Sequence, residues 1–362
     1  VTSRDSGRYR LSRYRPAGGR GPAGTVVALR ALGLSDLLTV LPALRGLRRA
    51  RPDARILLAT PRWLEPVALL SGAVDGVVDT PKLGPVAVQR PALAVNLHGR
   101  GPASTQVLRA TAPAELWAFD LAGGVSWDRD EHRAGNRQHA PREHHRDPRE
   151  PQAGEEREVA RWCRLLEAHG VACDPNDLSL PRPTIPPVVG GAIIVHPGGA
   201  HPVRRWPARL WAQVARALAT SSHQVVVTGG PEETELARTV ARDAGLPPAA
   251  VLAGSIDLPE LCALVAAGSL LLAANTGIGH LATAYGTPSV LLFGPVSPAR
   301  WGPPPDRGQH VALWSGERGA ADRNGSAATG TEQGLASITP ADVLRVVATL
   351  PGGHPPSPPP SP

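Results

Sequence analysis

The sequence predicts an α/β protein of two domains, each a parallel sheet with helices on both faces. Three observations carry this. Short Val/Leu/Ile-rich runs alternate with helical runs in two separate series. A segment with five prolines in 20 residues, ACDPNDLSLPRPTIPPVVGG, stands between the series. A length of 362 residues suits two such domains better than one or three.

In the first series TVVAL at 25–29 reads as a buried strand. A loop, Arg30 to Ser35, leads into one long helix, DLLTVLPALRGLRRARP. A strand at 55–59 and a helix around Trp63–Leu70 follow, then strands at 76–79 and 93–97. Residues 128–158 break the alternation with a nearly all-polar run and read as an insertion. Its four histidines (His132, His139, His144, His145) match no common metal-ligand spacing, so no metal is expected there. EVARWCRLLEAHGV then reads as a helix stopped by Gly170. The second series has strands at AIIVH, VVVTGG, VLAG, LLLAAN and SVLLFG. Helices are expected at about 207–220, 232–244, 258–267 and 278–285. A last helix, PADVLRVVATL, takes Thr339 as its N-cap. The expected organisation is a basic tail (1–24), a first domain (25–180), a second domain (188–335), a terminal helix (336–350) and a Pro-rich tail (351–362).

Composition narrows the function classes. With 42% apolar and 19% charged residues the chain can pack a core, so it is not wholly disordered. No run nears the roughly 18 uninterrupted apolar residues of a spanning helix, and residues 1–15 hold no apolar core of a secretory signal. Three cysteines (Cys163, Cys173, Cys262) without a CxxC pair fit a reducing cytoplasm. Of the formal charge of +7, +5 sits in residues 1–24, which hold six Arg and one Asp. That tail can touch anionic lipid or nucleic acid, but no aromatic-rich basic groove accompanies it, so a solvated leader and no nucleic-acid partner are expected. The segment Gly19-Arg-Gly21-Pro-Ala-Gly24 fits GxGxxG, but a strand follows it and no helix, so the dinucleotide context is absent.

Four strand ends of the second series run into glycine-rich turns. They are Pro197-Gly198-Gly199, Gly229-Gly230, Thr276-Gly277-Ile278-Gly279 and Gly294-Pro295. Ligands of open parallel sheets bind at the strands' carboxyl ends, where glycine admits a phosphate and the next helix aims free N–H groups at it. Several such turns on one edge point to a nucleotide or phosphate ligand. His280 can hydrogen-bond a phosphate or sugar hydroxyl, or pack against the next loop. Glu233 can take sugar hydroxyls or satisfy a helix dipole. Arg204 can stabilise a diphosphate leaving group or lie on the surface. In the first series Asp36 is either a helix-start carboxylate or a general base at the sheet's mouth, facing the second domain. His98, Gly99 and Arg100 follow a strand end and can line the same cleft.

Together these residues resemble glycosyltransferase family 9, the heptosyltransferase family. The blocks that carry the resemblance are VVALRALGLSDLLTVLPALRGLRRARPDARI, VHPGGAHPVRRWP, VVVTGGPEETELA and LLLAANTGIGHLATAYGTPSVLLFGPVSP. The last is the most specific. The resemblance implies the GT-B architecture, two Rossmann-like domains facing a cleft, with the final helix packed back on the first domain. It implies an inverting, metal-independent transfer of a heptose-like sugar from an ADP-linked donor to a hydroxyl acceptor. That acceptor is a glycan, glycolipid or natural product, and contact with the inner face of the membrane is compatible with it. No cofactor is implied beyond the nucleotide-sugar. Asp36 then matches the base, and Arg204 the cation near the diphosphate. Glu233 matches the acid near the ribose, and Gly198, Gly199, Thr276, Gly277 and His280 the donor loops. Ser35, His98 and Arg100 fall on the acceptor side. Ser35 stands where the family usually has Gly, and Asn275 where it usually has Asp, an amide that hydrogen-bonds without charge. A nucleotide-sugar epimerase of the same architecture and a nucleotide-sugar-binding protein without transferase activity are the rival readings.

Overall fold

The computed structural model describes residues 24–99, 101–119, 156–199, 205–219, 224–294, 297–315 and 333–350. Both terminal tails, most of the expected insertion, Arg100 and Arg204 lie outside the described residues.

The first unit runs β1 (Thr25–Leu29), α1 (Leu34–Thr39), α2 (Leu41–Ala50), β2 (Arg55–Thr60), α3 (Glu65–Leu70), β3 (Gly76–Asp79), β4 (Leu93–Asn96), α4 (Pro102–Arg109) and β5 (Leu116–Trp117). The single long helix expected after β1 is two helices that part at Val40. Pro42 explains the break: it has no N–H for the carbonyl of Leu38, and its ring crowds that carbonyl. α5 (Glu158–Glu167) returns to pack on α2 of the first unit. The second unit runs β6 (Ile193–His196), α6 (Ala208–Leu218), β7 (Val225–Val227), α7 (Thr234–Ala244), α8 (Leu258–Ala267), β8 (Leu270–Ala274), α9 (Gly277–Tyr285), β9 (Ser289–Phe293), α10 (Pro298–Trp301), β10 (His310–Trp314), α11 (Gln333–Ala336) and α12 (Pro340–Val347). The expected insertion ends earlier than residue 158, because Glu158 opens α5 and is buried.

All strand pairs are parallel. The sheets are ordered β3-β2-β1-β4-β5 and β10-β9-β8-β6-β7. Val27 sits opposite Leu57 and Ala94, and Leu272 opposite Val195 and Val290. The strand expected at VLAG shrinks to one bridge, Val251 beside Val227. Gly254, at φ +70, turns the chain away. Counting that bridge as a sixth position, the second sheet repeats the winding of the first and adds one strand.

Side-chain alternation gives each sheet two buried faces, as a doubly wound fold requires. Val27, Leu29, Leu57 and Ala94 pack on the outer side of the first sheet. Ile193, Val195, Leu270 and Leu272 do so on the second. The inner faces feed one shared cluster: Val26, Ile56 and Val95 from one sheet, Ile194, Leu271 and Leu291 from the other. Between them α1 packs on α9, and α3 on α8. The connecting segment is fastened on both sides. Arg45 of α2 donates to the carbonyl of Asp177 (2.7 Å), and Arg182 to that of Ala266 (2.6 Å).

The last helix corrects an expectation. α12 packs on α6 and β9 of the second unit, not on the first. Val343 and Val347 bury there. The indole of Trp206 donates to the carbonyl of Ile338 at 3.0 Å, which ties the approach to α12 to the same unit.

Candidate functional site

In each sheet the chain winds one way, then reverses, and the reversal opens a crevice at the strands' carboxyl ends. The first lies between β1 and β4, the second between β6 and β8. Asp36 and His98 follow β1 and β4. Gly198 and Gly199 follow β6, and Asn275, Thr276, Gly277 and His280 follow β8. The two crevices meet: a Cβ on Gly277 would fall 2.9 Å from the Cβ of Leu34 in α1. The absence of a side chain at Gly277 is what lets the α9 N-terminus lie against the helix that carries Asp36.

Asp36 is the third residue of α1. Its Oδ2 accepts the backbone N–H of Gly33 (3.3 Å), and its Oδ1 the Nη2 of Arg30 (2.9 Å). The helix-start role and the place at the sheet's mouth therefore coexist in one side chain. Burial raises the Asp36 pKa above the usual carboxylate range, and the Arg30 guanidinium opposes that rise. Ser35 is half-buried beside it in α1. His98 Nδ1 accepts the backbone N–H of Ala31 at 3.1 Å, so any proton on the neutral ring sits on Nε2. Burial, then Arg30, lowers its pKa to about 4.

On the other side Glu233 joins two loops. Its Oε1 accepts the N–H of Gly199 (2.7 Å), and its Oε2 that of Gly230 (2.9 Å). Arg205 approaches Oε1 at 3.7 Å. The structure thus shows Glu233 in the helix-start role and adds a bridge to the β6 loop. A Cβ on Gly198 would lie 2.1 Å from its carboxylate, so any larger residue there would displace the Glu233 side chain from these bonds. Thr276 is the N-cap of α9 without a side-chain cap bond, and its buried Oγ1 has no hydrogen-bond partner. A Cβ on Gly199 would touch its methyl at 3.5 Å. Asn275 is half-buried directly after β8, and its backbone N–H donates to the carbonyl of Leu292 at 3.0 Å. His280 stands edge-on to Trp301 (6.3 Å between rings). Burial, then Arg157, lowers its pKa to about 4. His196, at the end of β6, hydrogen-bonds Thr228 at 3.0 Å.

Two residues were invisible to pattern reading. Arg30 is 1% exposed and Glu158 4%. Arg30 Nη2 reaches Glu158 Oε1 at 3.4 Å, and its guanidinium lies 4.8 Å from the centre of the Trp162 ring. The only sequence signal for Arg30 was a cation directly after a strand buried on both faces. Glu158 sat at the end of a polar run and gave none.

The low-lying histidines set a pH response. His98, His280 and His310 stay neutral in the folded chain down to about pH 4, whereas an unfolded chain takes up their protons near 6.5. The unfolded state therefore binds more protons between those values, and stability present above pH 6.5 is lost as pH falls towards 4. The raised pKa of Asp36 works in the opposite sense, costing stability as pH rises through its own range. Thermal unfolding at pH 5 is expected about 5 °C or more below that at pH 7.5. Equal midpoints would show the imidazoles to be solvated.

Comparison with known proteins follows this geometry. Residues 152–328 match the model of glycosyltransferase family 9 (heptosyltransferase). Lipopolysaccharide heptosyltransferase 2 of Escherichia coli (strain K12) is 29% identical over 195 residues, 52% of this chain and 53% of the relative. The chain's matches span about half the length of its curated relatives. Over the whole fold, the glycosyl transferase family 9 structure from Veillonella parvula DSM 2008 superposes with a TM-score of 0.64 at 20% identity, covering 91% of this chain and 97% of that one. The E. coli heptosyltransferase WaaC with ADP gives 0.62 at 16%, covering 90% and 99%. These neighbours share the GT-B architecture of two parallel-sheet α/β domains. The chain is thus similar to the heptosyltransferases of glycosyltransferase family 9, in sequence over residues 152–328 and in fold over nearly its whole length.

Proposed function

We propose that the protein transfers a heptose-like sugar from an ADP-linked donor to a hydroxyl of a glycan, glycolipid or small-molecule acceptor, inverting the anomeric centre without a metal ion. One observation carries the reading. The crevices of the two sheets abut, with a buried, unpartnered Thr276 hydroxyl and free α9 N–H groups on one side and the Asp36 carboxylate on the other. The donor diphosphate would lie across the Gly198-Gly199 and Thr276-Gly277 loops. Asp36 would take the proton of the acceptor hydroxyl as it attacks the anomeric carbon, and the nucleoside diphosphate would leave towards the α9 N-terminus, with Arg204 as the cation that the family resemblance assigns to its charge. Solved relatives with ADP and with ADP-2-deoxy-2-fluoro heptose support the choice of donor. The same reading puts the reaction in the cytoplasm, in peripheral contact with the inner membrane face.

Calorimetry with ADP, UDP, GDP and TDP, with and without Mg²⁺, tests this. Micromolar ADP binding indifferent to Mg²⁺ is expected. Thr276→Val should weaken it about tenfold, the worth of one hydrogen bond, without lowering the melting temperature, because the hydroxyl has no internal partner to lose. Selective binding of another nucleotide would discard the donor. The uncharged Asn275 favours a second reading, a nucleotide-sugar-binding protein without transfer. Asn275→Asp gaining turnover over a silent wild type would support that reading, and an active wild type would end it.

A further inference from the structure

The charges behind Asp36 form a chain that crosses the seam between the domains. Arg30, at the end of β1, donates to Asp36 Oδ1 (2.9 Å) and to the carbonyls of Leu97 (2.7 Å) and His98 (3.3 Å). These bonds, made by a buried side chain, direct the guanidinium towards Asp36. Its next charged partner is Glu158 Oε1 (3.4 Å), at the start of α5. The Trp162 indole donates to that same oxygen at 3.1 Å. Glu158 Oε2 faces Arg161 (3.9 Å) and Arg300 (3.4 Å). Arg300 belongs to α10, which follows β9 of the second sheet. Its side chain is 30% exposed, whereas that of Glu158 is 5% exposed. The series therefore runs Asp36, Arg30, Glu158, Arg300, with alternating sign, from the mouth of the first sheet to the second domain.

Such a series has a defined electrostatic sense. Arg30 favours the ionised form of Asp36, and Glu158 opposes it. Arg300 and Arg161 in turn offset Glu158. Among the described residues, His98 after β4 and His280 on α9, the helix packed against α1, are both held neutral and so add no charge at neutral pH. Beside burial, the charge state of Asp36 answers to Arg30 and Glu158, and Arg300 on the opposite domain reaches it through them.

We infer that Arg30, Glu158 and Arg300 are positioning residues that aim Asp36 and set its basicity, with Arg300 making that setting depend on the seating of the second domain. This rests on the proposed role of Asp36 as base. It predicts effects of opposite sign from neighbours in one network. Removing the negative charge of Glu158 leaves Arg30 wholly to Asp36 and makes Asp36 a stronger acid. Removing the positive charge of Arg300 unmasks Glu158 and makes Asp36 a weaker acid.

The test is the titration of the Asp36 side-chain carboxyl by carbon-13 NMR in the full chain, its signal assigned by disappearance in Asp36→Asn. In Glu158→Gln the midpoint is expected to fall by about half a pH unit, and in Arg300→Gln to rise by a similar amount. Arg30→Gln should raise it by about a unit or more, with Arg30→Lys returning most of the change. Should the buried Arg30 variants fail to fold, the Glu158 and Arg300 pair still decides, because Glu158→Gln is isosteric and Arg300 is partly exposed. Shifts in the same direction, or no shift beyond about 0.2 unit in either variant, would overturn the network. The readout needs no donor. Opposite shifts in a chain that transfers no sugar would uphold the network and remove the transferase reading, while transfer with unmoved midpoints would remove the network alone.

Discussion

Asp36→Asn is expected to lower kcat/KM for sugar transfer by about a thousandfold, the middle of the range for loss of a positioned proton acceptor. ADP affinity should stay within about twofold of wild type, because Asp36 lies on the first-sheet side and the nucleotide loops on the other. An amide keeps one accepting oxygen. If that oxygen stays on Arg30, the amide nitrogen faces the Gly33 N–H, donor against donor. A stability loss of about 1 kcal/mol should accompany the change, far too little to account for the rate. Steady-state kinetics beside nucleotide calorimetry separate the two. A variant retaining more than a tenth of the wild-type rate would show that the proton leaves by another route.

Glu233→Ala is expected to damage donor binding and stability together. The carboxylate holds the N–H groups of Gly199 and Gly230, which belong to different loops. Truncation leaves the buried Gly199 N–H without its partner, at about 1–3 kcal/mol, and frees the β6 loop from the β7 loop. Nucleotide affinity should fall about tenfold or more as the phosphate-facing backbone loses its fixed shape. Glu233→Gln should fall between, since one amide oxygen can serve one of the two N–H groups. Calorimetry and urea denaturation on the same samples check this. Unchanged stability with lost affinity would point instead to direct contact with the ribose, the role implied by family resemblance.

What could be read from the sequence follows from the range of the forces involved. The central strands were legible because burial on both faces leaves an apolar run between turn residues, as in TVVAL and LLLAA. Glycine turns at the carboxyl ends located the donor side for a local steric reason. β5 and β10 went unread. β5 is two residues long, and β10 owes its extended shape to pairing with β9 after a loop rich in proline and glycine. Edge strands take their definition from a neighbour remote in sequence. The same holds for charge. Asp36 stood out beside a helix start, whereas Glu158 gains meaning only through Arg30, 128 residues away in the chain. Pro42 was in plain view, yet the apolar period across it read as unbroken.

The apolar layer shared by the two sheets bears on how the molecule comes apart. Ile278, Leu281 and Ala282 of α9 belong to the same packed body as Leu37, Leu41 and Leu44 of the first unit. Neither half can unravel without exposing a large area of the other, so the free energies of the halves are not independent sums. Heat should melt the chain in one cooperative transition in which the calorimetric and van 't Hoff enthalpies agree, although its length alone would suggest two. A destabilising change anywhere in one half is then felt in full by the other.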